Sequence, residues 1–236
     1  MTRNCSLLFF FVFLCGTSLL SAQEEGFKPL FNGKDLTGWE GNPNLWRVED
    51  GMIVGETAAD GDKKVTYNTF LVYKEEVPKN FVLRFDYWLS KQGNSGMQYR
   101  SWPNEDKTKP YSIKGYQADF DGQNAHSGIM YGEGFRGILA GRGLKTEVGD
   151  DGKPKTLETF ADTNELKNKI KVEDWNSYEI IADGYTFTHK INGETMSICV
   201  DNDMKRRRDS GVLAIQLHIG PPMQVKIRNL RIKPLP

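Results

Sequence analysis

The chain has 236 residues, 26% of them charged, with 31 Lys and Arg set against 31 Asp and Glu. That balance excludes the basic footprint expected of a nucleic-acid binder. Its three cysteines, Cys5, Cys15 and Cys199, are too few and too scattered for a disulfide framework or a Cys-built metal site.

Residues 1–22 read as a removable export signal. Arg3 supplies the positive start, Leu7 to Leu20 is apolar, and Leu20-Ser21-Ala22 offers a small-residue cleavage site before Gln23. The run of about 14 residues is short against the roughly 20 of a membrane-spanning helix. Lipidation at Cys15 is the weaker reading, because Phe13 and Leu14 stand where small residues are expected. The expectation is an exported chain, periplasmic or secreted, with no membrane association after cleavage. Residues 23–236 then keep only Cys199, and 30 basic against 31 acidic residues, because Arg3 is lost. They are expected to form one domain with an ordinary apolar core.

From there the pattern is almost all β. Leu45 to Val48 and Met52 to Gly55 flank the turn Asp50-Gly51; Phe70 to Tyr73 and the long Phe81 to Leu89 follow. Ser177 to Ala182, Tyr185 to Ile191 and Thr195 to Val200 are separated by Asp183-Gly184 and Asn192-Gly193, a strong hairpin signal. Gln224 to Lys233 closes the chain, with a register break expected near Arg228-Asn229. Gly141 to Thr159, rich in Gly, Lys and Asp, reads as a long surface excursion. Thr163 to Ile170 reads as one short helix, with Asp162 or Thr163 as N-cap and Leu166 and Ile170 four apart. The predicted class is an all-β sandwich or barrel carrying one short helix.

Three segments alternate strictly and point to a site. Gly96 to Arg100, Tyr116 to Asp121 and Leu213 to Ile219 each turn apolar residues to one side. The other side carries Gln98 and Arg100, then Gln117, Asp119 and Asp121, then Gln216 and His218. An ordinary solvent face is Lys, Glu, Thr and Ser; this one is made of directional hydrogen bonders and proton carriers, as in the floor of a polar cleft. Asp119 and Asp121 are candidate carboxylates, or else turn-capping and cation-holding groups. Gln117 stands where a carboxylate pair of the usual sandwich glycosidase would begin, and an amide is neither nucleophile nor proton donor, which disfavours that mechanism. Arg100 is a candidate carbonyl or hydroxyl binder, or a salt-bridge partner for Asp119. Tyr131, Glu133 and Arg136 follow closely in sequence, and Glu133 adds another carboxylate. His218 is the informative histidine; His126, in a loop, and His189, in a hairpin, are expected to face solvent. Trp102 is the candidate sugar-stacking ring, whereas Trp39, Trp46, Trp88 and Trp175 are expected in the core. Lys205 to Arg208 reads as a solvated loop, with a polyanion contact as the alternative.

Several stretches together carry a family resemblance: Phe27 to Trp39, Trp46 to Gly51, Asn94 to Arg100, Gly115 to Asp119, Gln216 to His218 and Ile227 to Ile232. In order and over nearly the whole chain they resemble the 3-keto-disaccharide hydrolase family, also described as 3-keto-glucoside lyases and hydratases. The resemblance implies a concanavalin A-like, laminin G-like jelly roll and an exported enzyme acting on a glycoside or 3-keto sugar. Many members have Tyr-Glu where this chain has Tyr116-Gln117. A ketone at C3 acidifies the C2 proton, so a base can drive elimination of the C1 substituent, and addition of water completes a net hydrolysis. That chemistry needs a base, a donor to the enolate oxygen and an acid for the leaving group. The resemblance puts Asp119 or His218 as base, Gln98, Arg100 and Gln117 on the sugar oxygens, with Gln216 and Tyr131 beside them, and Glu133 as acid. A divalent cation on Asp119, Glu133 and His218 is the alternative source of the same electrostatic work, although no tight ligand motif is present. A non-catalytic carbohydrate-binding module is the rival reading. Oligomeric state, anomer and leaving group stay open.

Overall fold

A computed structural model of the protein describes residues 24–236; the expected export signal lies outside the described residues. Two large sheets face one another, and the alternation read from the sequence fills the space between them. One side of β6 (Phe81–Leu89) gives Phe81, Leu83, Phe85, Tyr87 and Leu89 to the core, and β17 (Gln224–Pro234) adds Val225, Ile227 and Ile232. From the opposite sheet, β7 (Asn94–Pro103) gives Met97 and Tyr99. β8 (Ile113–Asp121) adds Tyr116, Ala118 and Phe120, and β16 (Val212–Leu217) adds Leu213, Ile215 and Leu217. Each buried Val, Leu, Ile, Met or Phe among them stabilises the fold by about 1.5–3 kcal/mol of transfer free energy.

The first sheet also contains β1 (Lys28–Pro29), β3 (Trp46–Glu49), β4 (Met52–Glu56), β11 (Leu144–Val148), β12 (Pro154–Thr159), β13 (Asn176–Asp183), β14 (Thr186–Ile191) and β15 (Glu194–Asp201). Its order is β12-β11-β15-β14-β13-β6-β17-β4-β3, with β1 added against β17. The second sheet, which carries the site, is β10-β9-β8-β7-β16-β5-β2, with β2 (Trp39–Glu40), β5 (Thr69–Tyr73), β9 (Met130–Glu133) and β10 (Gly137–Ala140). This is the jelly-roll sandwich expected from the sequence.

Local chemistry accounts for the details. At Asn192-Gly193 both residues have positive φ, 52° and 85°, as a two-residue hairpin turn requires. The register of β17 shifts between Arg228 and Arg231, where Asn229 takes φ 54°. The helix α1 (Thr163–Lys167) is capped by Asp162, whose carboxylate accepts from the N–H groups of Asn164 and Glu165, and Leu166 and Ile170 are buried. The segment expected as a surface excursion is instead a hairpin: β11 pairs antiparallel with β12 and parallel with β15. Among the described residues no helix is long and apolar enough to cross a membrane.

Candidate active site

The outward face of the second sheet is part apolar and part polar. Phe70, Val72, Ile113 and Ala214 form a small buried cluster. The polar remainder opens into a cleft of about 260 Å³ lined by Gln117, Asp119, Tyr131, Glu133, Gln216 and His218, together with Asn68, Asn94, His126, Ile129 and Ile138. Strand pairing sets this arrangement: Gln98 lies opposite Gln117, Gln117 opposite Tyr131, and Gly96 opposite Asp119. Gly96 is required there, because a Cβ would stand 2.5 Å from Cγ of Gln117. The missing side chain lets Gln117 lie across β7 toward Asp119.

A chain of amides links the floor. Nε2 of Gln98 donates to Oε1 of Gln117 at 2.7 Å. Nε2 of Gln117 donates to Oδ1 of Asp119 at 2.5 Å and to Oε1 of Gln216 at 3.3 Å. Nε2 of Gln216 reaches Oε2 of Glu133 at 3.3 Å, and Nδ2 of Asn68 donates to Oε1 of Glu133 at 2.9 Å. Below, the Ser101 hydroxyl donates to Oε1 of Gln98 at 2.6 Å. Gln98 itself is fully buried beneath the lining residues, so it orients Gln117. Both carboxylates are therefore held by neutral donors, and no Lys or Arg is among the lining residues. Burial pushes the Asp119 carboxyl well above the usual carboxylate range, Gln117 opposes the shift, and the nearby Glu133 and Asp121 charges add to it. Burial likewise raises the Tyr131 phenol, with Glu133 and Asp119 reinforcing it, so it keeps its proton as a donor. At the rim, Nδ1 of His218 contacts the Ile219 carbonyl oxygen.

Other expected site residues fall outside the cleft. Arg100 takes φ 46° at a bulge where the β7–β8 register shifts between Tyr99 and Trp102. The bulge turns its side chain away from Gln98, and the residue is 1% exposed. Nε and Nη2 donate to the Lys79 carbonyl at 3.2 and 2.6 Å, and Nη1 to those of Gly184 and Arg208 at 2.8 and 3.1 Å. Nη2 also reaches Oδ1 of Asn80 at 3.4 Å. Arg100 thus ties three loops together instead of binding substrate or pairing with Asp119. Trp102 packs edge-on against Phe135, 5.2 Å between centroids, under the Arg208 guanidinium, and does not line the cleft. Asp121 accepts from the backbone N–H groups of Gln123, Ala125, His126 and Ser127, so it holds the loop that carries His126. Arg136 is buried in an ion cluster with Asp201 and Asp203. In the basic run, Arg206 pairs with Asp203 at 2.6 Å, and Arg207 and Arg208 lie over Tyr185 and Trp102. His189, expected at the surface, is buried between the sheets. Trp39 and Trp46 are in the core, but Trp88 and Trp175 lie on the outer surface beneath Lys226 and Arg228.

Asn68 and Asn94 line the cleft without having been singled out, and His126, expected in a loop facing solvent, is exposed and lines the cleft as well. Asn68 stands just before β5 and Asn94 opens β7, where isolated asparagines read as turn residues. His126 sits in a loop whose path depends on the Asp121 cap, so periodicity carried no signal for it. The three groups named for a cation, Asp119, Glu133 and His218, share the cleft. Among the described residues no three His, Cys, Asp or Glu side chains form a group able to hold a metal ion.

Comparison with known proteins matches residues 26–233 to the 3-keto-alpha-glucoside-1,2-lyase-like domain. The chain belongs to this family. A 3-keto-disaccharide hydrolase of Bacteroides thetaiotaomicron is 32% identical over 85 residues, which are 34% of this chain and 29% of that relative. A protein of Parabacteroides distasonis ATCC 8503, provisionally described as a glycosyl hydrolase, superposes with a TM-score of 0.56 at 22% identity, covering 90% of this chain and 95% of the other. A Bacillus subtilis protein of galectin-like fold and unknown function gives 0.58 at 13% identity, over 88% and 94%. At such identities the two structures speak for the fold.

Proposed function

We propose that the protein is an exported, carbohydrate-active enzyme that cleaves 3-keto-glycosides by removing the C2 proton and expelling the C1 substituent, with hydration completing a net hydrolysis. One observation carries the reading: a cleft of amides, a phenol and imidazoles surrounds a buried carboxyl whose proton affinity is raised by desolvation. Asp119 is the base. Its Oδ1 is fixed by Gln117, and raised basicity suits removal of a carbon-bound proton. The Tyr131 hydroxyl donates to the keto oxygen as it becomes an enolate, a part the sequence shared among Gln98, Arg100 and Gln117. His218 at the rim protonates the departing oxygen. Glu133, with both oxygens engaged by Asn68 and Gln216, anchors sugar hydroxyls. No step needs a covalent sugar intermediate, which fits Gln117 in place of a second floor carboxylate. The binding-module rival expects exposed stacking aromatics, whereas Trp102 is packed against Phe135. Export rests on Arg3, the apolar run and Ala22.

The test incubates the protein with a 3-keto-glucoside and, in parallel, the unoxidised glucoside. Leaving-group release from the keto compound alone is the expected result. Asp119→Asn should cut kcat by about 10²–10⁴-fold, the worth of a positioned base. In the wild type, kcat/KM should rise with pH through the elevated Asp119 titration. Release from both compounds at equal rates, or an unimpaired Asp119→Asn enzyme, overturns the assignment.

A further inference from the structure

One imidazole of the cleft has no part in the elimination. His126 is exposed, lines the cleft and lies in the connection from β8 to β9. A histidine on a loosely held loop would need no explanation, but this loop is tightly held. Its framework is four buried polar side chains: Asp121, Asn124, Ser127 and Arg142. Asp121 accepts four of the loop's N–H groups, that of His126 at 2.5 Å. Asn124, at φ 54°, donates to the Ile170 carbonyl at 3.0 Å and accepts the Ser127 hydroxyl at 3.1 Å. Arg142 donates to the carbonyls of Ser127 and Thr163 at 2.6 and 3.1 Å. The His126 carbonyl accepts from the Ile129 N–H at 3.1 Å, and the Gly128 N–H donates to the Asp119 carbonyl at 2.8 Å. A Cβ on Gly128 would stand 2.6 Å from Cβ of Met196.

Burying an aspartate, an asparagine and an arginine costs free energy that a solvated turn never incurs, and hydrogen bonding offsets it. That framework leaves Gln123, Ala125 and His126 exposed, and of the three His126 alone lines the cleft. The backbone that carries the imidazole is thus as well determined as the sheet floor, as a proton-transfer group requires. His126 and His218 also approach from different sides. β8 and β16 flank β7; β8 runs into the His126 loop, and β16 ends at Leu217, just before His218. Asn94, which opens β7 opposite Asp121, stands at the same end of the sheet.

Elimination leaves a second step to be catalysed. It yields the free alcohol and an enone with a C1=C2 double bond, to which water must add. His218 is committed to the departing oxygen and Asp119 holds the C2 proton. The attacking water therefore needs a further base, a part most often taken by histidine.

We propose that His126 is a catalytic residue of the hydration step, its imidazole taking a proton from the water that attacks C1. The water oxygen bonds to C1, the double bond opens, and C2 recovers the proton held by Asp119. The proton gained by His126 balances the one given up by His218, and exchange with solvent resets both. Asp121 is the positioning residue behind it. The inference rests on the elimination reading, which supplies the enone.

The test follows a 3-keto-glucoside by proton NMR, which separates the vinylic H1 of the enone from H1 of the hydrated sugar, with alcohol release read alongside. The wild type should form alcohol and hydrated sugar in step. In His126→Ala, altered at an exposed position, hydration should fall by about 10²–10⁴-fold, so that alcohol outruns hydrated sugar and the enone accumulates. Free imidazole should restore part of the hydration, which it could not do for a misshapen loop. Gln123→Ala, exposed on the same loop but outside the cleft lining, should behave as the wild type. The role of His126 is overturned, with elimination standing, by any of four results: a wild type that stops at the enone, a His126→Ala enzyme that still hydrates in step, no response to imidazole, or equal accumulation by Gln123→Ala. Loss of alcohol release in His126→Ala overturns it too, by moving the residue to the first step. No alcohol release by the wild type overturns the elimination reading and the inference with it.

Discussion

Asp119 lies on a sheet floor that offers it one amide donor, no lysine or arginine, and the charges of Glu133 and Asp121 within electrostatic reach. Such a site costs stability when the carboxyl ionises. The folded state holds its proton above the pH at which the unfolded chain, near 3.8, gives it up. Within that window the native protein binds more protons, so stability falls as pH rises, and the full cost remains at higher pH. Asp119→Asn removes the cost while its Oδ1 can still accept from Gln117. The variant should therefore melt at a higher temperature than the wild type at pH 8, with the difference closing toward pH 3. Thermal melts at both pH values check this, and a variant that melts lower at pH 8 would show that Asp119 is not held against its ionisation. Coupled with the loss of kcat, a stability gain at the same atom is the trade expected of a catalytic group kept in a hostile environment.

At the scale of elements, the bulge in β7 decides which side chains reach the site. Without it Arg100 would share the cleft face with Gln98; with it, all five guanidinium N–H groups satisfy acceptors on the loops at Lys79, Gly184 and Arg208. Arg100→Met leaves those buried carbonyls unpaired and should cost about 3 kcal/mol or more in chemical denaturation, since hydrogen bonds to a charged group are worth about 1.5–3 kcal/mol each. Turnover below the lowered melting point should change little. Intact stability with lost turnover would return Arg100 to the cleft. The bulge was not legible, because Tyr99-Arg100-Ser101 contains no glycine, and simple alternation therefore misplaced Arg100. Where no bulge intervenes, as at Gln117, Asp119 and Gln216, period two placed the side chains on the floor. The β11–β12 hairpin was hidden by composition: Gly149, Asp150, Asp151 and Gly152 form its turn, and their weight masked the short strands beside them. Asn68, Asn94 and His126 come together only through strand order and loop closure, which a single sequence does not display.

At the scale of the molecule, the two sheets are joined by apolar packing and by a few buried polar ties, of which His189 is the most exacting. It extends from β14 in the first sheet to the second. The Tyr99 hydroxyl donates to Nε2 at 3.0 Å, and Nδ1–H donates to the Ile129 carbonyl at 3.2 Å, just before β9 at the cleft wall. One neutral tautomer satisfies both contacts, and a second proton would displace the Tyr99 donor. Burial accordingly depresses the imidazole to about 3, with the Ile129 contact opposing. The unfolded chain binds a proton near 6.5, so between those values it binds more than the native state, and stability is lost as pH falls. At 1.36 kcal/mol per unit, the 3.5 units separating the two values amount to about 5 kcal/mol at the acid end. His189→Gln, which keeps a donor and an acceptor but does not titrate, should flatten the pH dependence of unfolding between pH 6.5 and 3, even if it is less stable at neutrality. Denaturant titrations of both proteins across that range measure it, and parallel curves would remove His189 as the acid-sensitive tie. Because Ile129 also lines the cleft, the same tie couples the spacing of the sheets to the wall of the site, and activity should fail in acid together with His189.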